Sequence, residues 1–230
     1  REPLFRVAAM QPAIPQNEKW DASLSREILD QIEKNTLLLA PMKPDVVFWP
    51  EATLPYPIKG DIAMQAWIER LATEIDTPLF AGALVAESDE VWYNGVYLIR
   101  PKWGMYPEYY AKRHLVPFGE YIPLRSVWPW IEKIVPIEGD LYPGEGVSLL
   151  PLSMPRRTIN IGTLICYEDV FPSRARKSTL EGAGMLFVAT NSAWYGQSAA
   201  SFQHMAHSVL RAIENRRVVF RVGNDGWSGW

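Results

Sequence analysis

A chain of 230 residues with 48% hydrophobic side chains can bury one sizeable core, and a single domain is expected. A formal charge of -3 without a basic stripe argues against a nucleic-acid partner, because nothing displaces counterions from phosphates; small molecules, peptides and lipids remain. A single cysteine rules out an intramolecular disulfide, and with no apolar run of about eighteen residues the sequence contains no expected membrane span.

In chain order, residues 4–10 (LFRVAAM) read as a first buried strand, and Leu24, Ile28, Ile32, Thr36 and Leu39 recur at helical spacing behind it. Residues 45–49 form a second apolar strand, stopped by Pro50, which cannot donate to a ladder. A helix follows through Ile62, Trp67, Ile68, Leu71 and Ile75. Strands are expected at 78–85, 91–100 and 105–111, joined by the turns Ser88-Asp89-Glu90 and Lys102-Trp103-Gly104. Residues 112–143 carry prolines at 117, 123, 129, 136 and 143, which exclude a long regular element; a loop of this length in a compact domain usually has a function. Order resumes with strand 159–166, helix 173–181, strand 185–190, helix 202–215 and strand 218–222. This alternation around a central hairpin group predicts a layered α/β fold.

Three chemically complementary residues each fall just past an expected strand: Glu51, Lys112 and Cys166. Singly, a cysteine suits a core, and a Glu or Lys suits a solvated loop. Together, at strand ends that converge where α/β sheets hold ligands, they suit nucleophilic catalysis. A thiol attacks a carbonyl, a carboxylate takes its proton, and an ammonium steadies the oxyanion. Lys112, with the helix start near Pro172 and Ser173, is expected to lower the Cys166 pKa. His114, His204 and His207 lack metal-ligand spacing. His114 is read as structural, the other two as helix-surface or packing residues, and neither metal nor cofactor is expected.

The segments WPEATLP (49–55), YYAKRHLVPFGEYIPL (109–124) and LICYEDVFPS (164–173) resemble the three signatures of the carbon-nitrogen hydrolase (nitrilase) superfamily, and within it the apolipoprotein N-acyltransferase family. The likeness extends from AAMQPAIPQNEKW (8–20) through TNSAWYG (190–196) and QHM (203–205) to RVGNDGWSG (221–229); the unbroken KRHLVPFGEYIP is its most specific part. The resemblance implies a four-layer α-β-β-α sandwich with a Glu51-Lys112-Cys166 triad and a second active-site carboxylate, Glu120. Tyr167 and Glu168 beside the nucleophile, and Trp20 and Trp194 near the site mouth, are candidate supporting or substrate-binding residues. It further implies that Cys166 takes an acyl chain from a phospholipid as a thioester and passes it to the α-amino group of a lipid-modified N-terminal cysteine on an apolipoprotein. Such a domain lies on the periplasmic or outer side of the bacterial inner membrane.

On this reading the apolar stretches 127–131 and 134–137 meet acyl chains or the bilayer surface, since apolar area in water costs ~25 cal/mol per Å². The whole enzymes of this family carry membrane-spanning helices absent here, and the sequence, starting at Arg1 and stopping at Trp230, is read as a piece of a longer membrane protein. Ser192 stands where the family commonly has aspartate. The alternatives are a soluble amidase using the same triad on a small amide, and a catalytically dead binding module. Oligomeric state is left open.

Overall fold

The computed structural model describes residues 5–125, 127, 130, 139–155, 157–196 and 198–230. In chain order the elements are β1 (Val7–Ala9), α1 (Ser25–Leu37), β2 (Val46–Phe48), α2 (Ile62–Glu74), β3 (Leu79–Ala86), β4 (Trp92–Arg100), β5 (Gly104–Met105) and β6 (Tyr110–Ala111). They continue with β7 (Leu149–Met154), β8 (Arg157–Ile165), α3 (Pro172–Leu180), β9 (Met185–Thr190), α4 (Ala200–Asn215) and β10 (Val219–Gly223).

Among the described residues these strands form two sheets. One runs β1-β2-β3-β4-β5, with β6 also paired to β4; the other runs β10-β9-β8-β7. Within the first, β1, β2 and β3 are parallel and β3–β4 is the expected antiparallel hairpin. Within the second, β8, β9 and β10 are parallel, and β7 closes the edge antiparallel to β8.

Side-chain alternation along each strand sets the layers. Val46, Phe48, Phe80, Val96 and Leu98 point from the first sheet into a core shared with Ile161, Ile165, Met185, Phe187, Phe220 and Val222 of the second. Their neighbours Val47, Leu79, Ala81, Tyr97 and Ile99 face the opposite way, onto Ile28 and Ile32 of α1 and Met64, Ile68 and Leu71 of α2. On the far side, Leu164, Leu186, Val188 and Val219 meet Ala175 of α3 and Ala212 of α4. The result is the α-β-β-α sandwich expected from the resemblance. At its centre Phe48 lies 4.8 Å from Phe80, 4.6 Å from Phe187 and 5.3 Å from Phe220, ring to ring, so one residue ties the sheets together.

Two expectations need correction. The strand expected over 105–111 is two short ones, β5 and β6, because Pro107 interrupts the ladder between them. Strand β7 was not foreseen; Pro151 hides it, and it is tolerated because β7 is an edge. In the long loop, Val127 and Trp130 are exposed. Residues 128, 129, 131 and 134–137 of the expected apolar stretches lie outside the described residues.

Phe48→Ala removes the ring that both sheets share. It is expected to cost about 3–5 kcal/mol and to lower the melting temperature, followed by circular dichroism, by roughly 10 °C.

Candidate active site

Strand β2 delivers Glu51. Pro50 ends the strand, and Ala52 beyond it turns at φ 42°, so the chain swings away and leaves the Glu51 side chain at the strand end. Gly82 on β3 permits this path: a Cβ there would lie 2.0 Å from the Pro50 carbonyl oxygen and 3.0 Å from Glu51 Cα. Strand β6 delivers Lys112, whose main chain is fixed from both sides: its N–H donates to Asn94 O and its carbonyl accepts from Gly144 N, each at 2.8 Å.

These segments bring three charges together. Lys112 Nζ lies 3.3 Å from Glu51 Oε1 and 2.8 Å from Glu120 Oε2. Asn94 Nδ2 donates to both carboxylates, at 2.8 Å to Glu51 and 2.9 Å to Glu120, and Val116 N–H donates to Glu120 Oε2 at 2.9 Å. Glu51 and Lys112 are buried. Burial opposes ionisation of Glu51. It is outweighed by Lys112 and Lys19 and by hydrogen bonds from Asn94 and the Cys166 thiol, which together hold the carboxyl below its usual range. Burial likewise opposes the Lys112 charge, and Glu51, Cys166 and Glu120 reverse that, raising its pKa.

Cys166 opens a 3-10 turn, Cys166–Val170, at the end of β8, with φ 50°, a left-handed conformation that non-glycine residues seldom adopt. Burial and the charges of Glu51 and Lys112, with Thr190 beside them, act on its thiol. Lys112 acts to lower the thiol pKa, as expected, but burial, followed by the Glu51 charge, outweighs it and pushes the value up to about 12. A thiol raised this far is largely protonated near neutrality. The arrangement therefore suits proton transfer to Glu51 during attack rather than before it.

Two buried acids lock the Cys166 turn in place. Glu168, fully buried, accepts from Tyr110 Oη and Ile165 N with one oxygen and from Arg113 N and His114 N with the other, at 2.7–3.1 Å. It ties the Lys112 segment to the Cys166 turn and has no exposed surface for a substrate. Asp169 accepts from His204 Nε2 at 2.9 Å, Ser208 Oγ at 2.5 Å and Arg221 Nη1 at 2.7 Å. Of the two expected readings His204 is a packing residue and not a helix-surface one, buried and also 3.2 Å from the Cys166 carbonyl oxygen, whereas His207 is half-buried. The ring of His114 packs 4.0 Å from Phe171, matching its structural reading. No group of metal-ligating residues occurs among the described residues.

The aromatic candidates surround this core. Tyr167 is 38% exposed and packs edge-on against Phe171; Trp20 and Trp194 are 49% and 66% exposed. Their segments adjoin, since Asn191 Nδ2 donates to Gln16 Oε1 at 2.8 Å. Sequence reasoning missed Asn94, Asp169, Arg221 and Lys19. Their partners are distant in the chain, so no local spacing announces them.

The carbon-nitrogen hydrolase family profile matches residues 6–229, and the chain belongs to that family. It is 35% identical to an apolipoprotein N-acyltransferase of Geobacter metallireducens, over 96% of this chain and 42% of that protein. It is 30% identical to an apolipoprotein N-acyltransferase of Chlorobaculum tepidum, over 97% of this chain and 46% of that protein. The chain thus spans under half the length of these curated relatives. Among solved structures, a mutant of the Nesterenkonia AN1 amidase from the nitrilase superfamily superposes with TM-score 0.69 at 18% identity, covering 100% of this chain and 79% of that one. An amidase from Nesterenkonia sp. gives 0.67 at 19%, covering 97% and 77%. These structural likenesses establish the nitrilase-superfamily fold.

Glu168→Gln keeps the shape but sets an NH₂ against one pair of N–H or O–H donors. It is expected to cost about 2–4 kcal/mol and to lower the melting temperature by roughly 10 °C. An unchanged melt would sink its reading as the tie between the two segments.

Proposed function

We propose that this chain is the catalytic part of an acyltransferase that moves an acyl group from a phospholipid, through a thioester on Cys166, to the α-amino group of the N-terminal diacylglyceryl-cysteine of an apolipoprotein. The observation that carries the reading is the Lys112 ammonium held between Glu51 and Glu120, three charges that all act on the Cys166 thiol, in a chain whose matched curated relatives are named apolipoprotein N-acyltransferases.

In the first half-reaction Glu51 takes the Cys166 proton as sulfur attacks the ester carbonyl carbon. The Lys112 ammonium faces the oxyanion. Collapse breaks the C–O bond, and the lysophospholipid leaves with the proton returned by Glu51. In the second half the acceptor nitrogen attacks the thioester, its proton passes to Glu51, and the C–S bond breaks as the thiol is re-formed. Glu120 shares the Lys112 ammonium and so fixes where it points. A thioester that must wait for an amine needs water kept away, which suits a half-buried cysteine packed against the apolar core between the sheets.

The exposed rings of Trp20, Tyr167 and Trp194, with Phe118, Val127 and Trp130, support a lipid donor, because aromatic and apolar side chains favour a membrane interface. No helix among the described residues is long and apolar enough to cross a membrane. On this reading the chain works against the outer face of the bacterial inner membrane. The alternative, a small-amide hydrolase, shares the first half-reaction chemistry and differs in the acceptor, water in place of an amine.

Incubation with phosphatidylethanolamine vesicles is expected to add one acyl mass to the chain, removable by hydroxylamine and absent in Cys166→Ser. A diacylglyceryl-cysteine peptide is expected to discharge it and gain an amide-linked chain. Cys166→Ser and Lys112→Ala are each expected to cut transfer roughly a thousandfold or more while the circular dichroism spectrum is retained. Undiminished acylation of the peptide by either variant would refute the assignment, and rapid hydrolysis of an amide with no acyl adduct would favour the amidase.

A further inference from the structure

We propose that Lys19 is a positioning residue of this site: its ammonium, held on the main-chain carbonyl of Glu51, keeps the Glu51 carboxylate ionised in a dry interior so that it can accept the Cys166 proton. This rests on the reading of Cys166 as the nucleophile, but not on the identity of its substrate.

Lys19 is only 2% exposed, exceptional for a lysine, and its Nζ donates to Glu51 O at 3.1 Å. Its charge acts on both Glu51 and Cys166. The ammonium also lies 5.6 Å from the ring centre of Trp20, so the residue links the centre to an exposed aromatic.

The titratable groups facing the thiol come from several elements. Glu51 follows β2, Lys112 follows β6, Glu120 comes from the long loop, and Tyr195 comes from the turn after β9. With Lys19, two ammonium groups balance two carboxylates. Without it, the interior carries a net negative charge that resists both an ionised Glu51 and any negative charge developing on sulfur or on the oxyanion. Burial is costly for Lys19 itself. Desolvation, only partly offset by Glu51 and Cys166, lowers its pKa to about 8, so its influence is present below that pH and fades above it. A buried charge is poor evidence for stability, and a lysine retained against that cost fits a role in chemistry better than one in folding.

The test reads the alkylation of Cys166 by iodoacetamide, followed by intact mass from pH 5.5 to 10, in the wild-type chain, Lys19→Met and Lys19→Arg. Lys19→Met is expected to fold, with a melting temperature within a few degrees of wild type, and to label about tenfold or more slowly at pH 6–7, a shift of about one pKa unit. That gap is expected to close above about pH 9, where wild-type Lys19 has lost its own proton. Lys19→Arg, charged throughout, is expected to label at the wild-type rate at pH 7 and faster than wild type at pH 9–10. A deficit of equal size at every pH, which a merely structural role would produce, overturns the proposal, as does the absence of any deficit. If Lys19→Met fails to fold, the comparison of Lys19→Arg with wild type at pH 9–10 decides, and equal rates overturn it. A wild-type chain that labels as described but moves no acyl group would sink the acyl-transfer reading and leave the role of Lys19 supported.

Discussion

The organisation of this molecule turns on one buried ammonium shared by two carboxylates. Lys112 sits between Glu51 and Glu120, almost wholly out of water, and taking such ions from water costs several kcal/mol each unless geometry and hydrogen bonding compensate. The compensation is visible: one amide, Asn94, bridges both carboxylates, a main-chain N–H caps the second, and both main-chain polar groups of the lysine are tied down. None of these partners can move far without leaving a charge unpaired.

That requirement extends into both sheets. Glu51 and Lys112 belong to the first, whereas Cys166 ends β8 of the second, so the phenylalanine cluster between the sheets also sets the distance from sulfur to carboxylate. Glu168 and Asp169 then hold the turn at Cys166 from two directions, one toward the Lys112 segment and the other toward α4 and β10. Backbone strain gathers at the same place. Ala52 follows Glu51, Phe118 precedes Glu120 by two residues, and Cys166 is the nucleophile candidate itself; all three have positive φ. Such conformations persist only where the surroundings over-determine them.

What could be read from sequence divides along physical lines. The parallel strands and their helices were legible because apolar periodicity is local, and the strand-end positions of Glu51, Lys112 and Cys166 followed from it. Glu120 was reached only through resemblance. Strands β5, β6 and β7 were obscured by Pro107 and Pro151, whose meaning depends on whether a strand lies at an edge. Helix α4 was located, but its faces were not: it buries His204, Ser208 and Arg211 and exposes Phe202, Val209 and Ile213, the reverse of the usual pattern, because the inward face serves Asp169 and the neighbouring carbonyls. Nothing local in the sequence singles out Lys19. Only the fold places it against Glu51, thirty-two residues away.

The burial that raises the Cys166 thiol also governs how the resting protein meets oxidants. Peroxide and mixed-disulfide exchange both act on thiolate, as does further oxidation to the irreversible acids. A sulfur whose pKa is raised offers these reagents less thiolate to attack. The raised pKa thus guards the thiol against chance oxidation, a form of chemical endurance suited to a sequence with no second cysteine to repair it by exchange.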